Sequence, residues 1–421
     1  MAKKKTSLEK IPLVAIDFGS DTVKAMAGEY TQDGLLRVLG VETSYVKHCV
    51  ERGVINNSSN AAYTINEVLR LLANRIHVET LPYTFVCIGG RSLTIADVSS
   101  KRDQVRKREV PKSLLEEMEE ECKQKIEAHN QGVAVLDLIP SYFSLDGQYQ
   151  ETMPTPDQRA TIVEAHYTAF VGREEIARRL TESFDRSTKN LEKSFVRPDT
   201  LFNVLVSDDD MARGCAILDM GAQTTTLTIC KEWQYLLNKV VPKGGYDISR
   251  DIEAQGMSLP YAEKIKCEYG VASPDMVDTN YRMRIPTSDG EIVIDMKELA
   301  TIIAGSLDRI LDPLMQILNE EESDRVGVLY ITGGASMLNG VDQYIQSKTQ
   351  IPVMYGSHAM YLTSDTPDEM CAPNYSALIG TLLLGADHRQ KHPHVTPQKK
   401  GLLDKLKEST LDIFSGQDAG F

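Results

Sequence analysis

Two aspartates stand in the same short pattern in the two halves of the chain. Asp17 ends an apolar, β-branched run and is followed by Gly19, and Asp219 ends a similar run and is followed by Gly221. A buried strand that ends in Asp-x-Gly and small hydroxyl residues predicts a tight turn between two antiparallel strands. Glycine lets the backbone approach an anion, and Ser or Thr hydroxyls add hydrogen-bond donors. Each turn is therefore suited to phosphate oxygens.

The two carboxylates also predict a metal ion. Carboxylate oxygens are ligands that Mg²⁺ prefers, often through its own water molecules. A single Asp-x-Gly turn is common in unrelated proteins and is weak evidence by itself. A matched pair, each after a buried strand, would close on a polyphosphate from both sides, with Asp17 and Asp219 on the cation.

A third apolar run, beginning at Val326, ends in Thr332 and is followed by Gly333 and Gly334. Paired glycines after a strand let a flat ring or a sugar lie against bare backbone. The alternative is an ordinary strand-to-helix turn, which this segment alone would favour. The order of hairpin, hairpin and Gly-Gly turn favours a nucleotide site instead.

Composition narrows the class of protein. The chain has 421 residues, enough for two large domains, and a net charge of −14, which argues against nucleic acid as the main partner. Its seven cysteines show no Cys-x-x-Cys spacing and are predicted to be reduced core residues of a cytosolic protein. We expect no membrane-spanning segment, because no run of about 18 apolar residues occurs, and no signal peptide at the Lys-rich start.

The pattern changes between the two hairpins. A polar stretch from Arg91 leads to Pro111, which suits a first helical turn, and to an acidic helix predicted as far as Ala128. A strand-like run then ends in a turn at Asp146-Gly147. On pattern alone this segment is either a decorated loop or a self-contained inserted subdomain.

The second half contains two further candidate contacts. Gly244 and Gly245 follow a predicted strand and begin a helix, so free backbone N–H groups and the positive helix end could face an anion there. Glu263 and Lys266 are three residues apart on another predicted helix and share one face. That pair is either a solvated salt bridge or a pair that flanks a bound base and ribose.

In this order the motifs resemble those of the actin-like ATPase superfamily, and in particular its bacterial cell-division family, FtsA. The resemblance extends over nearly the whole chain. It is carried by IDFGSDTVKA at 16–25, RGVI at 52–55, PSYFSLDGQ at 140–148, ILDMGAQTTTLTI at 217–229, GGYDISRDI at 244–252, AEKIKCEYG at 262–270 and ITGGASMLNG at 331–340. An insertion with the P-x-x-F-x-x-D-G stretch before the second hairpin is the FtsA arrangement.

The resemblance implies an α/β, actin-like two-lobed ATPase fold: two related mixed-sheet domains around a nucleotide cleft, with an FtsA-type inserted subdomain in the first lobe. The expected division is 1–10, a disordered basic tail; 11–90 and 166–205, the first lobe; 91–165, the inserted subdomain; 206–241 and 299–386, the second lobe; 242–298, its small subdomain; 387–400, a linker; and 401–415, an amphipathic membrane-targeting helix.

The resemblance also implies that ATP and Mg²⁺ bind in the cleft. The positions that match the family's ATP-binding motifs are Asp17, Gly19, Ser20, Asp21, Lys24, Asp219, Gly221, Ala222, Gln223, Thr224, Thr225, Gly244, Gly245, Glu263, Lys266, Gly333, Gly334, Ala335 and Met337. Mg²⁺ is expected on Asp17 and Asp219, through water. No catalytic residue is assigned.

The second phosphate loop departs from the family pattern. FtsA proteins commonly carry D-x-G-G-G-T-T-D there, whereas Ala222, Gln223 and Thr226 replace two glycines and the final aspartate in this chain. The glutamine adds bulk beside the phosphates, and the lost carboxylate removes one candidate for ordering a cation or a water molecule. We therefore expect ATP binding with, at most, slow hydrolysis.

The C-terminal segment predicts a membrane anchor. After the polar, proline-containing linker, apolar residues fall within about one third of a helix circumference, and lysines are available for anionic headgroups. The residues predicted to meet the membrane are Leu402, Leu403, Leu406, Ile413, Phe414, Lys405 and Lys407. The alternative, a helix that docks on the protein's own body, is less favoured because a proline-containing tether suits a mobile attachment.

Together these features imply an ATP-binding protein that polymerises and tethers the FtsZ ring to the cytoplasmic membrane. It would lie at the division septum as a peripheral membrane protein and help to recruit later divisome proteins. The FtsZ C-terminal tail is expected on the small subdomain at 242–298. Two alternatives within the superfamily stay open: an adaptor of a pilus or secretion machine, and a small-molecule kinase, for which the sequence singles out no general base.

Overall fold

A computed structural model describes residues 12–31, 33–45, 49–277, 282–287, 290–321 and 325–391. The predicted basic tail at 1–10 and the predicted membrane helix at 401–415 lie outside the described residues.

The chain begins with the first predicted hairpin. The elements are β1 (Leu13–Phe18), β2 (Thr22–Tyr30), β3 (Leu36–Tyr45), β4 (Val50–Glu51), β5 (Val54–Ile55), α1 (Ser58–Arg75) and β6 (Tyr83–Ile88). Strand β1 pairs antiparallel with β2 and parallel with β6. Helix α1 forms because Ile65, Leu69 and Leu72 bury one face, and its first turn is capped by the side chain of Asn57, which accepts from Asn60 N at 2.9 Å.

The segment between the hairpins is a subdomain with a core of its own. Its elements are β7 (Thr94–Glu109), α2 (Lys112–His129), β8 (Val133–Leu145), β9 (Gln148–Gln150) and β10 (Arg159–Arg173). The strand order is β7-β10-β8-β9, and α2 packs on this sheet through Leu115, Met118 and Cys122. The inserted-subdomain alternative is therefore the one that the structure has, rather than a decorated loop.

The predicted end of this subdomain at residue 165 is wrong. Strand β10 continues to Arg173 and stays paired, with Val171 opposite Thr94 and Arg173 opposite Val133. Residues 166–173 therefore belong to the inserted sheet and not to the first lobe. Ladder hydrogen bonds to strands distant in sequence set this boundary, and no local pattern marks it.

The chain then returns to the first sheet and enters the second. The next elements are α3 (Glu174–Ser187), β11 (Leu191–Val196), α4 (Arg197–Leu205), α5 (Asp208–Arg213), β12 (Cys215–Met220), β13 (Thr225–Lys231) and β14 (Gln234–Val241). They are followed by α6 (Gly245–Glu253), α7 (Leu259–Tyr269), β15 (Arg282–Thr287), β16 (Gly290–Asp295), α8 (Met296–Gln316), β17 (Val328–Thr332), α9 (Val341–Lys348), β18 (Val353–Tyr355) and α10 (Ser376–Lys391).

The two central sheets have the same construction. One has the order β3-β2-β1-β6-β11 and the other β14-β13-β12-β17-β18. In each, an antiparallel three-stranded unit is extended by parallel strands. We call the first sheet with α1, α3 and α4 the first lobe, and the second sheet with α6 to α9 the second lobe. Two related mixed-sheet domains were predicted, and the structure confirms them.

Helix α10 was assigned to the wrong lobe and given the wrong end. Residues up to 386 were placed in the second lobe, but α10 packs on β1, β2, β6 and α4 of the first lobe, with Leu378, Ile379 and Leu382 fully buried. The helix also continues to Lys391, five residues into the predicted linker. Long-range apolar burial decides this placement.

Two simpler expectations can be compared with the structure. All seven cysteines are free thiols; Cys267 is exposed, Cys371 is partly exposed and the other five are buried. Among the described helices, none is both long and apolar enough to cross a membrane.

The docking of α10 leads to a first prediction. A Cβ added at Gly380 would lie 2.0 Å from the carbonyl oxygen of Thr200, which belongs to α4. We expect Gly380→Ala to lower the free energy of unfolding by about 3 kcal/mol, the upper end for overpacking, because backbone must move. Chemical denaturation measures the change.

The matched control is Gly305→Ala in α8, where the added Cβ meets only Arg309 Nη1, at 4.0 Å. This variant should be neutral or stabilised by up to about 1 kcal/mol, since alanine favours helix over glycine. Equal stability of the two variants would contradict the close docking of α10.

Candidate nucleotide-binding cleft

The two hairpins and the Gly-Gly turn meet at one cavity of about 430 Å³ between the lobes. Parallel pairing brings the ends of β1, β6 and β11, and of β12 and β17, to the edges that face it. The predicted residues that line it are Asp17, Gly19, Ser20, Asp21, Lys24, Asp219, Gly221, Ala222, Thr224, Gly245, Glu263, Lys266, Gly333, Gly334, Ala335 and Met337.

Three predicted residues lie just behind the cavity surface instead. The side-chain oxygen of Gln223 accepts from Arg52 N at 2.9 Å and so joins the second phosphate loop to the first lobe. Thr225 is buried and donates to Lys243 O at 3.0 Å. Gly244 packs so closely that an added Cβ would lie 2.4 Å from Gly221 O. These residues shape the loop rather than face the cavity.

The first turn is held by its own glycine and by a second turn. A Cβ on Gly19 would lie 2.7 Å from Thr22 O, so the turn tolerates only glycine without a shift. Ser20 Oγ accepts from Gly53 N at 2.8 Å, which ties the RGVI segment to the cleft. Lys24 reaches Asn374 O at 3.4 Å. Burial lowers the pKa of Lys24, and the carboxylate of Asp17 opposes that shift.

The expectation that the start of α6 offers free N–H groups to an anion is wrong. Gly245 N donates to Gly221 O at 2.9 Å, and Tyr246 N donates to Ala222 O at 2.7 Å. Gly244 N donates to the Asp247 side chain at 2.8 Å. These N–H groups therefore hold the second phosphate loop and are not free for an anion.

Glu263 and Lys266 were predicted either to form a salt bridge or to flank a bound base and ribose, and their positions are compatible with both. They form a salt bridge of 2.8 Å, and Lys266 Nζ also donates to Gly245 O at 2.9 Å, while both residues line the cavity. Burial would raise the pKa of Glu263, but the ammonium of Lys266 lowers it overall. Ser249 donates a further hydrogen bond to this carboxylate. The pair is thus a fixed polar wall on one side of the cavity.

The two glycines of the Gly-Gly turn differ in their surroundings: Gly333 has no room for a side chain, whereas Gly334 faces open space. Gly333 has φ of +90°, and an added Cβ would lie 2.5 Å from Met220 O and 2.6 Å from Asp219 Oδ1. Gly334 lines the cavity, and an added Cβ there meets no atom within 4 Å. Gly333 therefore lets the turn pack on the second aspartate, and Gly334 keeps the cavity wall flat.

Arg197 was not among the predicted site residues, but it lines the same cavity at the start of α4. Its Nη2 donates to Asp17 Oδ1, and its Nη1 lies 3.6 Å from Asp219 Oδ2. The side chain is only 22% exposed. Burial alone would lower the pKa of Arg197, but the carboxylates of Asp17 and Asp219 raise it above its ordinary value. Its position directly after strand β11 was the available signal.

This arrangement fits poorly with magnesium on Asp17 and Asp219. Both carboxylates already have a buried cation as a partner. Burial raises the pKa of Asp219, and Arg197 opposes the rise. Among the described residues, no group of three or more His, Cys, Asp or Glu is arranged to hold a metal. The predicted magnesium position therefore coincides with a site that a guanidinium occupies.

Comparison with known proteins gives one family. A sequence model described as "Cell division protein FtsA" matches residues 216–380. Curated proteins of that description are 23% identical in Porphyromonas gingivalis, over 77% of this chain and 67% of the relative, and 23% identical in Bacillus subtilis, over 82% and 78%. The protein from Pseudomonas aeruginosa is 24% identical over 89% of both chains.

Solved structures agree on the fold. A chain of the PilM-PilN type IV pilus biogenesis complex is similar with a TM-score of 0.64 and 17% identity, over 89% of this chain and 99% of that one. MreB5 of Spiroplasma citri, solved with ADP, has a TM-score of 0.54 and 12% identity, over 92% and 100%. Such identities show the fold alone and do not choose among functions. With the family match over residues 216–380, they show an actin-like fold and a similarity to FtsA cell-division proteins.

Proposed function

We propose that this protein binds ATP in the cleft, assembles with copies of itself, and tethers the FtsZ ring to the cytoplasmic membrane, where it helps to recruit later divisome proteins. The observation that carries the ATP part is the convergence of three separate predicted segments on one cavity of about 430 Å³. That volume lies within the range of small-molecule and cofactor sites. The family match supports the cell-division part.

Charge and shape suggest how ATP lies in the cavity. The phosphates would lie between the turns at Gly19–Asp21 and Gly221–Thr224, near the ammonium of Lys24. The adenosine would lie between the Glu263–Lys266 pair and the turn at Gly333 and Gly334. Met337 is 54% exposed and offers an apolar, polarisable surface at that end.

The tether is proposed from the sequence, since its residues lie outside the described part. Helix α10 ends at Lys391 on the first lobe, so the linker and the predicted membrane helix continue from that lobe. Each apolar side chain of the arc would contribute about 1.5–3 kcal/mol on burial. One copy should therefore bind reversibly, and an assembled row of copies would gain avidity.

For FtsZ we propose the small subdomain at 242–298, which contains α6, α7 and the β15–β16 hairpin. The whole proposal is tested by co-sedimentation of FtsZ with liposomes, with and without this protein. We expect FtsZ to pellet only when the full chain is present. FtsZ that stays in the supernatant, although this protein pellets, would remove the tether and favour the pilus-adaptor or kinase alternatives.

The neighbouring glycines give a prediction about ATP. Gly334→Phe should reduce ATP affinity at least about tenfold, a loss of about 1.4 kcal/mol, because the ring would project into open cavity space. Its melting temperature should stay close to that of the wild type. Gly333→Ala should instead lower the melting temperature, because φ of +90° and the contact with Met220 O are incompatible with a Cβ. Calorimetric titration and thermal denaturation separate the two effects, and full ATP affinity in Gly334→Phe would contradict the proposed site.

A second prediction concerns turnover. Thr226 supplies no carboxylate to the cavity, and Gln223 is engaged with Arg52 across the cleft. We expect steady-state ATP hydrolysis well below about 1 s⁻¹, the low end for ordinary enzymes. A phosphate-release assay measures it. Turnover at or above that rate would show that the altered second loop does not limit the reaction.

A third prediction concerns the tail. The double substitution Leu406→Glu with Ile413→Glu should abolish liposome binding, because unpaired carboxylates in an apolar environment are costly. ATP affinity and the melting temperature should not change. Sedimentation with anionic liposomes provides the measurement.

The matched control, Leu411→Glu with Ser415→Glu, adds the same charge outside the predicted apolar arc. It should weaken liposome binding only partly, because it changes the electrostatic attraction and leaves the apolar arc intact. Raising the salt concentration should have a similar partial effect on the wild type, since screening acts on charge and not on apolar burial. Equal loss of binding in both variants would mean that charge, and not the arc, governs attachment. A fall of several degrees in the melting temperature of Leu406→Glu with Ile413→Glu would favour the alternative in which the helix docks on the body.

A further inference from the structure

We propose that Arg197 takes the place of the divalent cation in this cleft, so that ATP binds without a requirement for magnesium. The inference rests on the proposed ATP site, and it concerns what neutralises that site. Three observations carry it: where the guanidinium lies, how firmly it is held, and what charge remains around it.

The guanidinium lies where a cation would have to act. It contacts Asp17 at the end of the first hairpin strand, and it lies 3.6 Å from Asp219 at the end of the second. Arg197 therefore joins the two carboxylates that belong to opposite lobes. A magnesium ion held by both aspartates would have to share these two carboxylates with the guanidinium.

The position of Arg197 is fixed by the backbone that carries it. It is the first residue of α4, followed by Pro198, and its carbonyl oxygen accepts from Thr200 Oγ1 at 2.8 Å. Its stem lies against Gly89, where an added Cβ would be 3.5 Å from the arginine Cβ and Cδ. A side chain packed in this way cannot leave the carboxylates without losing both contacts.

The two aspartates are matched by two cations of the protein, Arg197 and Lys24. Asp17 and Asp219 are each about 10% exposed, so each needs a partner inside the protein, and Arg197 contacts both. Lys24 adds a second cation to the lining of the cavity. Arginine also has five N–H donors, so it can hold carboxylates and still donate to phosphate oxygens.

The test measures ATP affinity of the full-length wild-type protein by calorimetric titration, once in magnesium buffer and once in EDTA. We expect the two dissociation constants to agree within about threefold, less than 1 kcal/mol. Affinity that is present with magnesium and lost in EDTA would overturn the inference and leave the proposed ATP site standing. Absence of ATP binding in both buffers would remove the proposed ATP site and this inference together.

Substitution of the arginine should create the dependence that the wild type lacks. In Arg197→Ala, ATP affinity in EDTA should fall at least about tenfold, and magnesium should restore part of it, because the freed carboxylates can then hold the ion. Arg197→Lys keeps one positive charge, so its ATP affinity in EDTA should lie between those of the wild type and Arg197→Ala. A purely structural role of Arg197 would lower stability without making binding magnesium-dependent.

The matched control is Arg309→Ala, which removes an arginine from an ion pair with Asp251 outside the cleft. It should keep ATP affinity equal in both buffers. If Arg197→Ala does not fold, the wild-type comparison in EDTA decides the question alone.

Discussion

The contact of Arg197 with two carboxylates is the constraint around which the cleft is organised. Asp17 and Asp219 come from hairpins of the same construction, which bring two negative charges together at the edge where the lobes meet. Buried like charges repel each other and destabilise this arrangement unless a cation lies between them. The surroundings fit this requirement. Gly333 leaves space for the Asp219 side chain, and the arginine stem packs beside Gly89.

Other contacts between the lobes are also polar and directional. Asn238 Nδ2 donates to Leu93 O at 2.9 Å, and the Tyr235 hydroxyl donates to Asp199 Oδ1 at 2.9 Å in a buried position. Burial raises the pKa of Asp199 to about 7, and Asp137 adds to the rise. The closed arrangement therefore depends on discrete hydrogen bonds and ion pairs as well as apolar packing. A ligand that engages both phosphate loops would add to the same set of contacts.

Local features of the fold could be predicted from sequence, and long-range ones could not. The two hairpins, α1 and the Gly-Gly turn follow from spacing within a few residues, and the structure has them where they were expected. Arg197 was missed because its partner Asp17 lies 180 residues away, so no spacing rule links them. The end of β10 and the return of α10 to the first lobe depend on pairing and burial against distant elements. The donors at the start of α6 were misjudged for the same reason.

The departures from the FtsA pattern at the cleft lie at one end. Ala222, Gln223 and Thr226 alter the second hairpin turn, whereas the end proposed for the adenosine keeps its glycines and its Glu263–Lys266 pair. Residues beside the phosphates can both hold the nucleotide and control how charge develops during hydrolysis, whereas residues beside the adenosine act on binding. Under the proposed function, the changes in the second loop would slow cleavage while the other contacts still hold ATP. Within the proposed function, ATP then acts as a structural ligand that fixes the two lobes relative to each other for assembly.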